Sequence, residues 1–206
     1  SRTNSGEMDG GVLISQLLDF SGLVLGLTLF HGLIVLPFIA WLAVSISPFE
    51  LLKKISRPMI VAFSTSSSSS TLPVTIQTAE RELSVDPKVS SFVLPLGATI
   101  NMDGTALFEA LAAIFLAYLY GIELSTILII TVFFMAMVAS IGAPGMPSAS
   151  MAGMQMVLLA IGVPLEAIAI LLVVERPLDT IRTSLNVEGD IVGALVVNRY
   201  FKSQAE

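Results

Sequence analysis

From Leu23 to Ser45 the chain is almost wholly apolar, with His31 as the one side chain there that can ionise. About 20 such residues suffice for a helix to cross a bilayer, so this segment alone commits the chain to a membrane. Composition agrees: 54% of residues are hydrophobic, 13% are charged and the mean hydropathy is +0.88. A soluble domain carries about 25% charged residues.

The charge balance removes several function classes. Lys and Arg number 10 against 16 Asp and Glu, a formal charge of -6, and the basic residues form no patch dense enough to grip a phosphate backbone. Nucleic acid is therefore not an expected partner. With no cysteine, disulfides, iron–sulfur clusters and thiolate zinc sites are ruled out, and the redox compartment is unreadable. A lone histidine provides no two-histidine metal site. The start, Ser1-Arg2-Thr3-Asn4, lacks an initiator Met and a signal-peptide pattern, and reads as part of a longer chain.

Beyond the first span, 22–47, two further stretches are long enough to cross. One, 89–120, is interrupted at Gly97-Ala98-Thr99-Ile100-Asn101-Met102-Asp103-Gly104-Thr105; the other, 166–200, holds several charges. Between them lie two segments with apolar arms and unusual middles. Segment 50–84 has a serine-rich centre, Ser64 to Thr71, and segment 123–164 has Ser140-Ile141-Gly142-Ala143-Pro144-Gly145-Met146-Pro147-Ser148.

Basic residues assign the sides, because short cytoplasmic loops collect them. Lys53, Lys54 and Arg57 precede the serine segment and Arg81 and Lys88 follow it, so both its ends read as cytoplasmic. The Gly/Pro segment is flanked by Glu123 and Glu166, with Arg199 and Lys202 after the last span, so its ends read as external. The path is then a crossing, a hairpin from inside, a broken crossing, a hairpin from outside and a final crossing. Such an order is an inverted repeat. Irregular backbone survives at membrane depth only where it is buried in protein or lines a wet cavity, so the two tips and the broken span are expected to meet at one site.

In the last span Asp179, Arg182, Thr183, Asn186 and Asp190 fall at offsets 0, 3, 4, 7 and 11, within about a 100° arc of a helix, with Glu175 close by. Such a stripe either glues helices through Asp–Arg pairs or serves a transport path; intramembrane charge favours the second. An arginine fork suits a carboxylate and an aspartate one turn away suits an ammonium group, which together describe an acidic amino acid. Asn101, Asp103 and Thr105 lie in a stretch expected to be unwound. Its oxygens either cap a kink or hold a hard cation such as Na⁺.

The serine tip is read as a helix start at Thr71-Leu72-Pro73, whose free N–H groups would suit a carboxylate. Two roles stand equally open to Glu109, alone in an apolar run: carrying a proton, or pairing with a cation from another segment. His31 reads as a packing or hydrogen-bonding residue outside the site.

These residues resemble the dicarboxylate/amino acid:cation symporters, a family that includes the excitatory glutamate transporters. The resemblance covers nearly the whole chain. It rests on Ser66-Ser67-Ser68-Ser69, Thr71-Leu72-Pro73-Val74-Thr75, the run from Leu94 to Thr105, and Arg182-Thr183-Ser184-Leu185-Asn186-Val187-Glu188-Gly189-Asp190. It implies an all-α membrane protein in which 1–206 is the C-terminal part of a transport domain. That domain moves as an elevator against a homotrimeric scaffold absent from this chain, in the plasma or inner membrane.

By motif, Ser67, Ser68, Thr105, Asp179, Arg182, Thr183 and Asn186 resemble substrate contacts, with Gly145 and Met146 closing over them. Gly97, Asn101, Asn186 and Asp190 resemble one Na⁺ site. Thr99, Ser140, Ile141 and Ala143 resemble a second, formed through carbonyls when the outer tip shuts. Asn101 and Asp103 resemble part of a third. Glu109 matches a glutamate linked to proton coupling, so H⁺ joins Na⁺ as a candidate coupling ion.

The chain departs from the family where a second arginine commonly stands, having Ser66 and Thr180 at those places. Arg176 is a substitute by position, although on a helix it points about 60° away from Asp179. Some relatives carry dicarboxylates and others neutral amino acids. From other classes, an intramembrane aspartyl protease using Asp103 and Asp179 would not need Arg182 and Asn186 on one stripe. An ion channel built on the broken helices would differ in its flux.

Overall fold

The computed structural model describes residues 10–204; residues 1–9 and 205–206, which include the Ser1–Asn4 start, lie outside the described residues. Every regular element among the described residues is helical. Helix α1 (Gly10–Phe30) passes through a π-helical turn, His31–Val35, into α2 (Leu36–Val44), giving one rod of 35 residues that stops at left-handed Ser45. This rod begins well before the apolar stretch that marks it in the sequence.

Helix α3 (Pro48–Thr65) starts where Ser47 Oγ accepts from Glu50 N at 3.2 Å, with Pro48 in the first position, where its missing N–H costs nothing. It ends at Ser66, whose φ of 50° turns the chain back into α4 (Ser68–Arg81). The cap of α4 is Ser67, accepting from Ser70 N at 3.1 Å, and not Thr71 as the sequence suggests. Thr71 lies inside the first turn and donates to Ser67 O at 2.8 Å. A run of serines offers several equivalent caps; the one used follows the left-handed residue. Pro73 stays within α4, near enough to its start to cost a single backbone bond.

Asp86 caps α5 (Pro87–Ile100) through Lys88 N at 2.8 Å. Asn101 (φ −106°, ψ 76°) and Met102 (φ −117°, ψ 60°) then leave helical geometry, and α6 (Asp103–Leu119) resumes it. A second pair, α7 (Thr126–Ile141) and α8 (Ser150–Ile161), is joined by the 142–149 loop. A 3₁₀ turn, Leu165–Ala167, leads into α9 (Ile168–Ser203), 36 residues long.

Two apolar clusters hold these helices. In one, Leu51, Ile55, Ala62 and Leu94 from α3 and α5 pack on Ile191 and Leu195 of α9. In the other, Phe108 and Leu116 of α6, Val132 of α7, and Met154 and Leu158 of α8 pack on Leu171 of α9 and Phe20 of α1. Helix α9 runs through both. From Arg182 to Val192 all its side chains are buried, the condition of a helix surrounded on every side. Its polar residues therefore lie at the seam between the clusters, beside the α5–α6 break and the two tips.

The outside is apolar where a soluble protein would be polar: Phe92, Ile127, Phe134 and Val173 are 64–76% exposed. Lys53, Lys54, Arg57 and Arg81 gather along one cleft. Arg199 at the end of α9 bonds Ala43 O, and Lys202 bonds Ser84 O.

Candidate functional site

Arg182 is the centre of the seam. Its guanidinium is 2% exposed, and Nη2 donates to Asp179 Oδ1 at 2.6 Å, Glu175 Oε1 at 3.1 Å and Ser150 Oγ at 2.9 Å. Its Cζ lies 4.2 Å above the Phe108 ring. Two carboxylates and an aromatic face offset the desolvation of one cation. Nη1 is buried without a partner. Arg176 Nη1 reaches to 3.7 Å from Asp179 Oδ2, its long stem closing the angular gap expected from the helical wheel.

The 142–149 loop lies over this group. Ser148 N donates to Asp179 Oδ2 at 3.0 Å, and Ser148 Oγ donates to Glu175 Oε2 at 2.8 Å. Gly145 O accepts from Ser67 Oγ at 2.7 Å and from Ser69 N at 3.1 Å, so the loop also rests on the start of α4. A Cβ at Gly145 would stand 2.5 Å from Ser69 Oγ and 2.6 Å from Ala98 O. This close approach requires glycine.

The tips, the break and α9 line a small cleft of about 10 Å³, room for a single water, with exposed Pro144 and Met146 at its edge. Of the expected substrate contacts, Ser68, Thr105, Gly145, Met146, Asp179, Thr183 and Asn186 line it. Ser67 and Arg182 stand behind, bonded to Gly145 and to the α9 carboxylates. The α4 N-terminus, expected to be free for a carboxylate, is partly engaged by the Gly145 carbonyl. Asn186 ties α9 to the start of α6: its Oδ1 accepts from Gly104 N at 2.9 Å and its Nδ2 donates to Thr105 Oγ1 at 3.1 Å.

Sequence reasoning missed Ser148 and Ser150 and left Glu175 beside the site. Serines in a loop carry no periodic signal, whereas Glu175 stands seven residues before Arg182, two turns away on the same face.

The expected cation donors form two groups. Asn101 Nδ2 donates to Asp190 Oδ1 at 3.0 Å, and a Cβ at Gly97 would stand 2.6 Å from that same oxygen, so α9 meets the break through a glycine cradle. Asp103 pairs with His31, Nε2 to Oδ2 2.7 Å, while its Oδ1 is buried and unpartnered. His31 is a hydrogen-bonding residue, as expected, but its partner is a member of the candidate cation site. This donor set of carboxylates, amides and backbone carbonyls suits a hard cation such as Na⁺.

In the other group, Thr99 stands near the end of α5 and Ser140 and Ile141 end α7, two helices that touch. Thr99 Oγ1 donates to Leu96 O and Ser140 Oγ to Met137 O. Glu109 is fully buried, with both oxygens unpartnered and its Oε1 against Gly153 of α8.

Residues 4–200 match the sodium:dicarboxylate symporter family. An excitatory amino acid transporter from Caenorhabditis elegans is 46% identical over 176 residues, covering 85% of this chain and 35% of that protein. Excitatory amino acid transporter 3 from Mus musculus is 42% identical over 200 residues, covering 97% of this chain and 38% of that protein. For human excitatory amino acid transporter 1 the values are 44% over 189 residues, 92% and 35%. The chain belongs to the sodium:dicarboxylate symporter family, whose members are multi-pass membrane proteins of the cell membrane. It spans about a third of the length of the curated relatives it matches.

Proposed function

We propose that this chain carries the solute and cation sites of a secondary active symporter, one that couples uptake of an acidic amino acid, glutamate or aspartate, to Na⁺. The observation that carries this reading is the convergence of Asp179, Thr183 and Asn186 on α9 with Ser68, Thr105 and the Gly145–Met146 loop around one small cleft. The names of the relatives support the substrate class. Asp179 supports an amino acid over a simple dicarboxylate, because it supplies an anion for an ammonium group.

In this account the 142–149 loop withdraws, the solute takes the place of Ser148 at Asp179, and its side-chain carboxylate takes the open Nη1 of Arg182. Na⁺ is held by Gly97, Asn101, Asn186 and Asp190, by Asn101 and Asp103, and, once the loop shuts, by Thr99, Ser140, Ile141 and Ala143. Ion and solute then bias the same two-state loop, which is what couples them. Glu109, buried against α8, is the candidate for H⁺ coupling.

The finer architecture follows the same reading. The pairs α3–α4 and α7–α8 act as re-entrant hairpins in 50–84 and 123–164. With the spans 22–47, 89–120 and 166–200 they build an inverted repeat whose halves interlock, α6 packing with α7 and α8, and α9 packing with α3 and α5. The repeat moves as an elevator against a homotrimeric scaffold supplied by the rest of the protein. Reconstitution of the full-length protein in vesicles tests this. An inward Na⁺ gradient should accumulate labelled aspartate or glutamate above equilibrium; current without solute accumulation would contradict it and favour a channel.

A further inference from the structure

The cleft that gathers Lys53, Lys54, Arg57 and Arg81 shares no residue with the seam. It lies between the first half of α3 and the last turns of α4, and its volume of about 490 Å³ is that of a small-ligand site. Glu50, Lys53, Lys54 and Arg57 fall at offsets 0, 3, 4 and 7, so they share one face of α3. Arg57 Nη1 ties that face to α4 by donating to Gln77 Oε1 at 3.0 Å.

The charges of the cleft do not cancel. Four cations line it against two carboxylates, Glu50 and Glu82, an excess of two positive charges in a chain whose formal charge is -6. Of the four, Lys54 is paired with Glu50 at 2.9 Å, and Arg57 meets a neutral amide. Among the described residues, the Lys53 ammonium and the Arg81 guanidinium have neither a hydrogen-bond nor an ion-pair partner. The C-terminal dipole of α4 accounts for Arg81, and sidedness accounts for basic residues at this end, but neither requires cations of two helices to face one cleft.

Beside the cleft α3 is apolar. Phe49, Ile60 and Phe63 are 80%, 65% and 50% exposed, and they fall within about a 60° arc that adjoins Lys53 on the helix. A ligand seated here meets positive charge at one end and an apolar strip at the other.

We propose that this cleft binds the phosphomonoester headgroup of an anionic membrane lipid. A phosphomonoester carries about −1.5 to −2 charges at neutral pH, which matches the excess of the cleft. The guanidinium forks of Arg57 and Arg81 suit its oxygens, Lys53 adds a point charge, and the acyl chains follow Phe49, Ile60 and Phe63. Basic residues read this end as cytoplasmic, the side on which anionic lipids gather.

The test titrates full-length protein in detergent with short-chain phosphatidic acid and reads thermal stabilisation. Phosphatidylcholine is the zwitterionic control and inorganic phosphate the soluble one. Phosphatidic acid should stabilise saturably and the controls should not. Lys53→Gln combined with Arg81→Gln removes two exposed, unpartnered charges, and the midpoint should rise about thirtyfold, the effect of two basic residues near an anionic headgroup. Lys88→Gln combined with Lys202→Gln, cations of the same end outside the cleft, should move it by less than about threefold, because solvent screens them.

Equal shifts in the two double variants would show a diffuse basic surface and overturn the proposal, as would phosphatidic acid acting no better than phosphatidylcholine. Inorganic phosphate binding as tightly as the lipid would overturn the lipid as occupant. Na⁺-dependent aspartate binding, measured on the same samples, is independent of these outcomes; its absence from the wild-type protein would count against the symporter reading alone.

Discussion

Arg182 and Asp179, the two charges suited to opposite ends of an amino acid, are bonded to each other at 2.6 Å, one turn apart on α9. Ser148 N occupies the other oxygen of Asp179, and Ser150 and Glu175 share Nη2 of Arg182. The site therefore satisfies itself with its own loop. A solute must compete with Ser148 for Asp179, which makes loop position and solute occupancy parts of one equilibrium.

Replacing Arg182 with alanine should abolish binding of acidic amino acids and spare or create binding of neutral ones. It also leaves Glu175 and Asp179 buried without their cation, at a cost of about 3–5 kcal/mol. Competition binding with aspartate and alanine, alongside a melting curve, checks both. Unchanged acidic-substrate affinity would refute the role given to Arg182.

Ser148→Ala removes the hydroxyl bond to Glu175, worth about 1–2 kcal/mol. Since that bond holds the loop against Asp179, where solute would compete with Ser148, the variant should bind solute more tightly, by up to about tenfold. Hydrogen exchange of residues 142–149 should rise in parallel. Weaker binding together with slower exchange would mean that the bond does not compete with solute.

Gly97→Ala and Gly145→Ala should separate the two halves of coupling. The first places a methyl group against Asp190 and should suppress the Na⁺ response. The second places one against Ser69 and Ala98 and should block closure, giving solute binding that is weaker and less dependent on Na⁺. Thermal shifts titrated with Na⁺, with and without aspartate, distinguish these outcomes.

Glu109→Gln keeps the shape of a buried carboxyl group that touches Gly153. If Glu109 carries the coupled proton, uptake by this variant loses its dependence on external pH and keeps its dependence on Na⁺. A pH profile parallel to wild type would return Glu109 to a packing role.

What the sequence made legible followed the reach of its periodicities. Asp179, Arg182, Thr183 and Asn186 share a helical face by spacing alone, and the structure sets all but the guanidinium along the cleft. The break at Asn101 and Met102 was legible because glycines and short polar residues interrupt an apolar run. Contacts between segments were not. His31 and Asp103 stand 72 positions apart, and no pattern in either segment announces the π turn that holds Gly32 and precedes Leu36. Thr71 looked like a cap because a proline follows it, yet Ser67 takes that place after a left-handed residue that a serine run conceals.

The central claim is that solute and cation share this seam. Calorimetric titration of aspartate into the full-length protein tests it most directly. The account predicts saturable heat in Na⁺ and none in choline, with apparent affinity rising steeply as Na⁺ is raised. Equal binding in the two salts, or none in either, would contradict it.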